Sequence, residues 1–320
     1  MVNKEKKVEP LVSVVVPTFN SIKKLDRLID SIEMQKYDKY EVIFVDDGSS
    51  DGTCDYLRGR FKKNNKVHIY EKDHAGPGPA RCYGFQKSKG KYLMFIDCDD
   101  WFCSESSLSE INDIMSGNDV DVCLICRECY PSGEIRNPFN TQPEGMPLKT
   151  GVYDVSILKG RQIRGTMSAK LFKREKLHEN MFVGAFNYED MITSLVYLDS
   201  CQKIAYREKP IQVCNIDRNR GSLTQTKGYE MNTIMERASN IIKAGKIIHS
   251  EPLRISLGNL AFNTYCRLLR KRTTLKKDKS IIIQLEKIIC DVDLSSFYYS
   301  YSFKRRVFLR LMRIKGRVMR

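Results

Sequence analysis

The stretch Leu93–Trp101 (LMFIDCDDW) decides how the chain is read. Four apolar residues, Leu93, Met94, Phe95 and Ile96, run without a break into Asp97, Asp99 and Asp100. A short, wholly apolar run predicts a strand buried on both faces of a mostly parallel sheet. In such sheets function collects beyond the carboxyl ends of the strands. Three acids at that point repel one another unless a cation sits among them. Mg²⁺ and Mn²⁺ prefer carboxylate oxygens, and such ions commonly bridge one or two carboxylates to a substrate diphosphate. A helix start is the competing reading, with Asp99 or Asp100 capping Ser104–Met115. Capping accounts for one acid, Asp100 above all, and leaves the others unexplained.

At 320 residues the chain has room for one large domain or two modest ones, and 42% hydrophobic with 29% charged residues is a globular balance. No stretch reaches the apolar length of a membrane span. The opening MVNKEKKVEP has charges with no apolar segment behind them, unlike a signal peptide. The expectation is a cytoplasmic protein whose eleven cysteines are free thiols. Cys123, Cys126 and Cys129 form a CxxCxxC run, but it lies in the β-rich VDVCLIC stretch and no fourth ligand follows at zinc or cluster spacing. Buried small side chains explain it better than a metal. The net charge of +15 raises nucleic-acid binding as a different class of function. No nucleic-acid motif accompanies the charge, much of which lies at the C-terminus, so nucleic acid is not an expected partner.

Working outward from Leu93, the preceding chain reads as β-loop-α units of a doubly wound sheet. Leu11–Val16 (LVSVVV) is a strand running into the turn Pro17-Thr18-Phe19-Asn20, and Ser21–Gln35 has the apolar spacing of an amphipathic helix. Glu41–Val45 (EVIFV) is the next strand, and Asp46 and Asp47 stand at its carboxyl end, where a ribose or base would be held. Helix entry through Ser50 or Asp51 explains the tail of that loop. Val67–Tyr70 is a third strand. His74–Arg81 (HAGPGPAR) is a Gly/Pro-rich turn opening a helix that ends near Gly90. Arg81 in the first turn opposes the helix macrodipole, which makes sense if it faces an anion or a nucleotide. His74 reads as a turn residue. A dinucleotide-dependent oxidoreductase would need G-x-G-x-x-G after the first strand, where Pro17-Thr18-Phe19-Asn20 stands instead. A nucleotidyltransferase remains an alternative.

VVVPTFN, EVIFVDDGSSDGT, HAGPGPARCYG and GKYLMFIDCDD, in this order and spacing, resemble the inverting family 2 glycosyltransferases of bacterial capsule, lipopolysaccharide and other cell-surface glycans. The resemblance covers roughly the first 110 residues closely. It implies the GT-A fold, a Rossmann-like mixed sheet with helices on both sides, and a nucleotide-sugar donor, a UDP-sugar by preference. It implies nucleotide binding by Pro17, Phe19, Asp47, Arg81 and Asp97, with Asp47 on the base and Asp97 by the ribose. It also implies Mn²⁺ or Mg²⁺ on the diphosphate, ligated by Asp99. Cys82 departs from the Asn that usually follows the arginine.

The second half is less uniform. Asp119–Pro138 reads as a strand and hairpin, and Asn137–Pro147 as a flexible loop. Gly165–Lys176 (GTMSAKLFKREK) and Phe186–Asp190 (FNYED) resemble the family's middle and acceptor-side motifs, and the family's catalytic base falls at Asp190. Asn187 and Asp190 also make a capping box, and a helix N-terminus would lower a carboxylate's pKa. Lys203–Ala205 and Ile211–Ile216 are short strands. Arg218-Asn219-Arg220-Gly221-Ser222 resembles a basic loop of capsule and lipopolysaccharide enzymes. Arg218 or Arg220 would neutralise the departing diphosphate, and Glu189 would meet diphosphate or acceptor; a solvated loop serves nearly as well for the arginines. Helical patterns follow in Tyr229–His249, Pro252–Arg270 and Ser280–Cys290. The expected division is a nucleotide-sugar half (1–115), an acceptor half (116–228) and a helical C-terminal region (229–320).

The last stretch, Phe303–Arg320 (FKRRVFLRLMRIKGRVMR), holds eight Lys or Arg and no acid. At helical spacing Arg306, Arg310, Arg313, Arg317 and Arg320 share one arc, and Phe303, Val307, Leu311, Ile314 and Val318 another. This is the layout of an interfacial helix on an anionic membrane, so the expected location is the inner face of the cell membrane. The family resemblance implies a glycan or lipid-linked glycan as the acceptor. A helix packed on the protein's own core has the same apolar arc. Deleting residues 303–320 should abolish co-sedimentation with anionic liposomes while leaving neutral-liposome binding unchanged. Equal sedimentation before and after deletion would reject the membrane role.

Overall fold

The computed structural model describes residues 11–115, 119–141, 148–159, 161–182, 184, 189–217, 231–270 and 279–290. Arg218, Arg220, Asn187 and the basic stretch 303–320 lie outside the described residues. The first half contributes β1 (Val12–Thr18), β2 (Tyr40–Asp46), β3 (Val67–Glu71), β4 (Tyr92–Phe95) and the short β5 (Trp101–Phe102), with α1 (Asp26–Glu33), α2 (Thr53–Arg60), α3 (Pro77–Lys87) and α4 (Ser107–Met115). The second contributes β6 (Val122–Ile125), β7 (Arg127–Tyr130), β8 (Glu134–Arg136), β9 (Phe139–Thr141), β10 (Gly151–Asp154), β11 (Gln162–Ile163), β12 (Lys170–Lys173), β13 (Lys203–Arg207) and β14 (Gln212–Asn215), with α5 (Glu189–Asp199). Three further helices close the described chain: α6 (Met231–Gly245), α7 (Glu251–Arg270) and α8 (Lys279–Cys290).

Among the described residues the main sheet has eight strands in the order β10-β13-β6-β12-β4-β1-β2-β3. β1 runs parallel to β2 and β4, and β2 parallel to β3. β12 is antiparallel to both β4 and β6, while β13 is parallel to β6. The apolar runs are explained by burial on two faces. Val15, Ile43, Val45, Leu93 and Phe95 enter one core, and Val14, Val16, Val42, Phe44, Met94 and Ile96 the other, in the period-two alternation of a pleated strand. α1, α2 and α4 cover the second face through Leu28, Ile29, Ile32, Leu57, Leu108 and Ile111. α3 and α5 cover the first, and buried residues of α6, α7 and α8, including Ile241, Phe262 and Leu285, join that same core. Cys123 belongs to one core and Cys126 to the other, so the CxxCxxC run straddles the sheet; all eleven cysteines are free.

Two local expectations are corrected. The first helix spans Asp26–Glu33 instead of Ser21–Gln35, because Ser21 to Leu25 form a turn in which Lys24 N–H donates to Ser21 C=O (2.8 Å). The fourth starts at Ser107, not Ser104, and Asp100 does not cap it. Ser104 N–H instead donates to Ser107 Oγ (3.0 Å), and Asp100 is buried elsewhere.

α3 is seated on the sheet at Gly84, where a Cβ would come within 2.3 Å of Val15 Cγ1. Gly84→Ala should therefore destabilise the protein by about 1–3 kcal/mol through overpacking. Gly59→Ala, in α2, meets nothing within 4 Å and should stabilise by up to about 1 kcal/mol through helix propensity alone. Urea midpoints that moved in the same direction for both would contradict this packing.

Candidate functional site

The loops following β1 and β2 are wired together before any ligand is considered. Thr18 Oγ1 and Ser49 Oγ both donate to Asp46 Oδ1 (3.1 and 2.6 Å), and Ser49 N–H donates to Asp46 Oδ2 (2.9 Å). Ser50 N–H donates to Asn20 Oδ1 (2.9 Å), and Asp51 takes Thr53 N–H (3.0 Å) at the entry to α2. Asp46 is thus spent on folding its own loop.

Asp47 is only 2% exposed. Its Oδ1 accepts from Lys72 Nζ (2.6 Å) and Ala75 N–H (3.0 Å), and its Oδ2 from Gly76 N–H (2.7 Å), with His74 Nδ1 at 2.8 Å. One carboxylate thereby shapes the loop after β3. That loop presents the His74 ring against Phe19, with centroids 4.1 Å apart and planes 21° from parallel. Phe19 is 43% exposed, whereas Pro17 is buried within β1. The stacked pair is a flat aromatic surface at the carboxyl ends of β1 and β2. Sequence reading singled out Phe19 and Asp47 but took His74 for a turn residue and passed over Lys72.

Arg81 is 7% exposed and lies between the two halves of the chain. Its NH2 donates to Asp97 Oδ1 (2.8 Å), beyond β4, and its NH1 to Glu189 Oε1 (2.6 Å), at the start of α5. The anions it faces in this structure are therefore the chain's own. Burial opposes its charge, but Asp97, Glu189 and Asp190 outweigh that and raise its pKa. Glu189 is pushed up to about 7 by burial and by Asp190, against the pull of Arg81. Asp190 is half-buried, and its Oδ1 accepts from Met191 N–H (2.7 Å). Burial raises its pKa, with Asp97 adding to the effect, despite Arg81. Burial and Asp97 thus act against the lowering that a helix N-terminus exerts on its own.

Asp97 to Asp100 form a turn closed by Asp100 N–H donating to Asp97 C=O (3.0 Å). Asp100 is turned toward β14, accepting from Gln212 Nε2 (2.8 Å) and Asn215 N–H (2.9 Å). Burial, with Asp97 and Asp99, raises its pKa well above the carboxylate range. Of the three acids, Asp97 (side chain 49% exposed) and the half-buried Asp99 stay accessible beyond the carboxyl end of β4. No group of three His, Cys, Asp or Glu among the described residues is placed to hold a metal. Two carboxylates at one turn are nevertheless the donor set expected for Mg²⁺ or Mn²⁺ completed by diphosphate and water.

Lys170 is the residue sequence reading missed most clearly. Because β12 is antiparallel to β4 and β6, its first residue lies at the edge where those strands end. Lys170 is 1% exposed, and its Nζ donates to Arg164 C=O (2.9 Å) and to Thr166 C=O. Burial and the charge of Arg127 push its pKa down to about 7, although Asp190 draws it upward. Gly165 packs so closely on α5 that a Cβ would meet Met191 Cβ at 2.8 Å. The lysine thus holds the segment against which the start of α5, with Asp190, is seated. The only signal in the sequence was a lysine inside an otherwise buried strand, SAKLF.

Both the sequence and the fold match known proteins. The chain is 30% identical over 171 residues to the poly(ribitol-phosphate) beta-N-acetylglucosaminyltransferase TarS of Staphylococcus aureus, covering 52% of this chain and 28% of TarS. It is 31% identical over 175 residues to the poly(ribitol-phosphate) beta-glucosyltransferase of Bacillus spizizenii, covering 53% of this chain and 26% of that one. It spans less than half the length of the curated relatives it matches. The crystal structure of S. aureus TarS 1–349 in complex with UDP-GlcNAc superposes with a TM-score of 0.66 at 16% identity, covering 95% of this chain and 88% of that one. The mannosyltransferase PcManGT from Pyrobaculum calidifontis, in complex with GDP-Man and Mn²⁺, gives 0.57 at 15% identity, with 95% and 80% covered. These likenesses establish the GT-A fold with added C-terminal helices. The profile described as Glycosyl transferase family 2 matches residues 13–186, more than half of the sequence, and the chain belongs to that family.

Proposed function

We propose that the protein transfers a sugar from a nucleotide sugar, with UDP as the favoured nucleotide, to a hydroxyl of a growing cell-surface glycan, with inversion at the anomeric carbon. The observation that carries this reading is the Asp97–Arg81–Glu189 bridge, which holds the raised-pKa carboxylate of Asp190 beside the acids after β4. The neighbour solved in complex with UDP-GlcNAc supports the donor class, and the relatives named as poly(ribitol-phosphate) glycosyltransferases support a polymeric acceptor.

In this reading the base stacks on the Phe19–His74 surface, above the loop that Asp47 folds. Asp97 lies by the ribose. Asp99, with Asp97 beside it, would hold Mn²⁺ or Mg²⁺, which supplies charge neutralisation to the leaving diphosphate. Asp190 accepts the proton of the acceptor hydroxyl as that oxygen attacks from the face opposite the nucleotide. Glu189 is ill suited to that role because it is buried and tied to Arg81, whereas Asp190 keeps partial exposure. Arg218 or Arg220 would meet the departing diphosphate. No described helix is long and apolar enough to cross a membrane. Peripheral attachment at the inner face of the membrane through 303–320 is part of the proposal.

Incubation with a set of nucleotide sugars and an acceptor extract, with and without Mn²⁺, should release UDP in a metal-dependent manner; no release from any donor would reject the function. Asp190→Asn should lower turnover by about 10²–10⁴-fold while UDP affinity stays near wild type. Only the deprotonated carboxylate accepts the proton, so kcat/KM should rise with pH through the Asp190 pKa. That acid limb should lie above the ordinary carboxylate range of about 4. Glu189→Gln should keep the limb, and its loss there instead would exchange the two roles. Asp99→Asn should remove the Mn²⁺-dependent part of UDP binding in calorimetry, and unchanged affinity with Mn²⁺ present would refute the metal assignment.

A further inference from the structure

Three arginines converge beside Lys170 in a way the proposed reaction does not use. Arg127 opens β7 and Arg136 ends β8, and the antiparallel register sets them directly opposite each other. Like charges facing across a strand pair are destabilising. Arg164, just past β11, is drawn to the same place: its backbone N–H donates to Pro138 C=O (2.7 Å) and its Nε to Asn137 C=O (3.1 Å). Burial, then Arg127 and Arg136, lower its pKa, so three guanidinium groups share one field. All three are half-buried. Among the described residues, the one carboxylate ion-paired with any of them is Glu134, on Arg136 (2.8 Å). Arg127 NH1 reaches only Ser168 Oγ, at 3.4 Å. Among the described residues the cluster therefore keeps an excess of positive charge that ion pairing does not neutralise.

Its position identifies the side of the cleft. Lys170 lies within electrostatic reach of Arg127, Arg164 and Asp190 together, and its Nζ holds the Arg164 carbonyl. Gly165, next in sequence to Arg164, packs on Met191. Arg164 thus stands beside the segment that seats Asp190, and Arg127 and Arg136 gather with it on β7 and β8, not on the loops after β1, β2 and β3 that carry Phe19, Asp47 and His74. We propose that Arg127, Arg136 and Arg164 form an anion site for the acceptor, which carries a phosphate or carboxylate group near the hydroxyl that is glycosylated. The inference rests on the glycosyl-transfer reading and adds the acceptor's charge to it. Guanidinium groups suit either oxyanion because their paired N–H donors match its oxygens.

The test titrates the full chain with oligo(glycerol phosphate), oligogalacturonate and neutral maltotetraose, and separately with UDP plus Mn²⁺. The site predicts that one anionic probe binds at least about tenfold more tightly than the neutral one. Which of the two anionic probes binds distinguishes phosphate from carboxylate. The Arg127→Gln/Arg164→Gln double variant should bind that probe no better than maltotetraose, with UDP affinity unchanged. Arg136→Gln, on an exposed hairpin, provides the same reading should the double variant fail to fold. Arg127→Gln alone should not lower Tm, since it relieves repulsion across the strand pair. Equal binding of charged and neutral probes, or unchanged probe binding in the variants, would overturn the site. Lost UDP affinity in the variants would reassign the arginines to the donor diphosphate, and tighter binding of a single-stranded oligonucleotide of equal charge would replace the acceptor by nucleic acid. A wild-type protein indifferent to UDP would instead overturn the proposed function, and the acceptor assignment with it.

Discussion

The buried guanidinium of Arg81 is the constraint on which the rest of the site depends. A charge taken out of water is tolerated only when its partners are well placed, and Arg81 has one on each side of the cleft. Asp97 comes from the end of β4 and Glu189 from the start of α5, elements 92 residues apart in sequence at Asp97 and Glu189. Removing Glu189 would leave the guanidinium short of compensation, at a cost of about 3–5 kcal/mol for a buried pair broken on one side. The positions of the turn at Asp97–Asp100, of α3 and of Asp190 are thus one arrangement. This is also why Gly84 matters: α3 must lie close on β1 for Arg81 to reach both acids.

The two halves solve the same problem in opposite ways. On the side of β1 and β2, acids fold loops: Asp46 and Asp47 are saturated by hydroxyls, backbone N–H groups, Lys72 and His74. On the side of β12 and α5, a buried cation does so, with Lys170 gathering the carbonyls of Arg164 and Thr166. The reversed direction of β12 makes this work, because it returns a strand's beginning to the edge where its neighbours end. Lys170 is thereby brought within the fields of Arg127, Arg164 and Asp190.

The first half was largely legible because its strands are buried on both faces, and an unbroken apolar run ending in acids fits little besides the carboxyl end of an interior strand. The site residues read there, Phe19, Asp47, Arg81 and Asp97, do gather at one sheet edge, though Asp47 and Arg81 are bound by the chain itself. Asp100 was misread as a possible helix cap because its partners, Gln212 and Asn215, are more than a hundred residues away. The burial acting on Asp190 could not be read for a related reason: the helix N-terminus is visible in sequence, whereas burial is a tertiary property. Lys170 left only the faint signal of a lysine within an apolar run, since hydropathy treats a lysine as surface, and the facing pair Arg127–Arg136 left none, since register across a hairpin is not fixed by composition. Short strands such as β9 and β11 carry too few residues to show a period.

The saturated carboxylate of Asp47 has a thermodynamic corollary. With Lys72, His74, Ala75 and Gly76 already bound to it, the loop after β3 has surrendered its conformational freedom during folding. A planar ring arriving on Phe19 and His74 then meets a finished surface and orders nothing further there. Association at that spot forfeits chiefly the newcomer's own motion, the condition under which a modest contact area yields useful affinity.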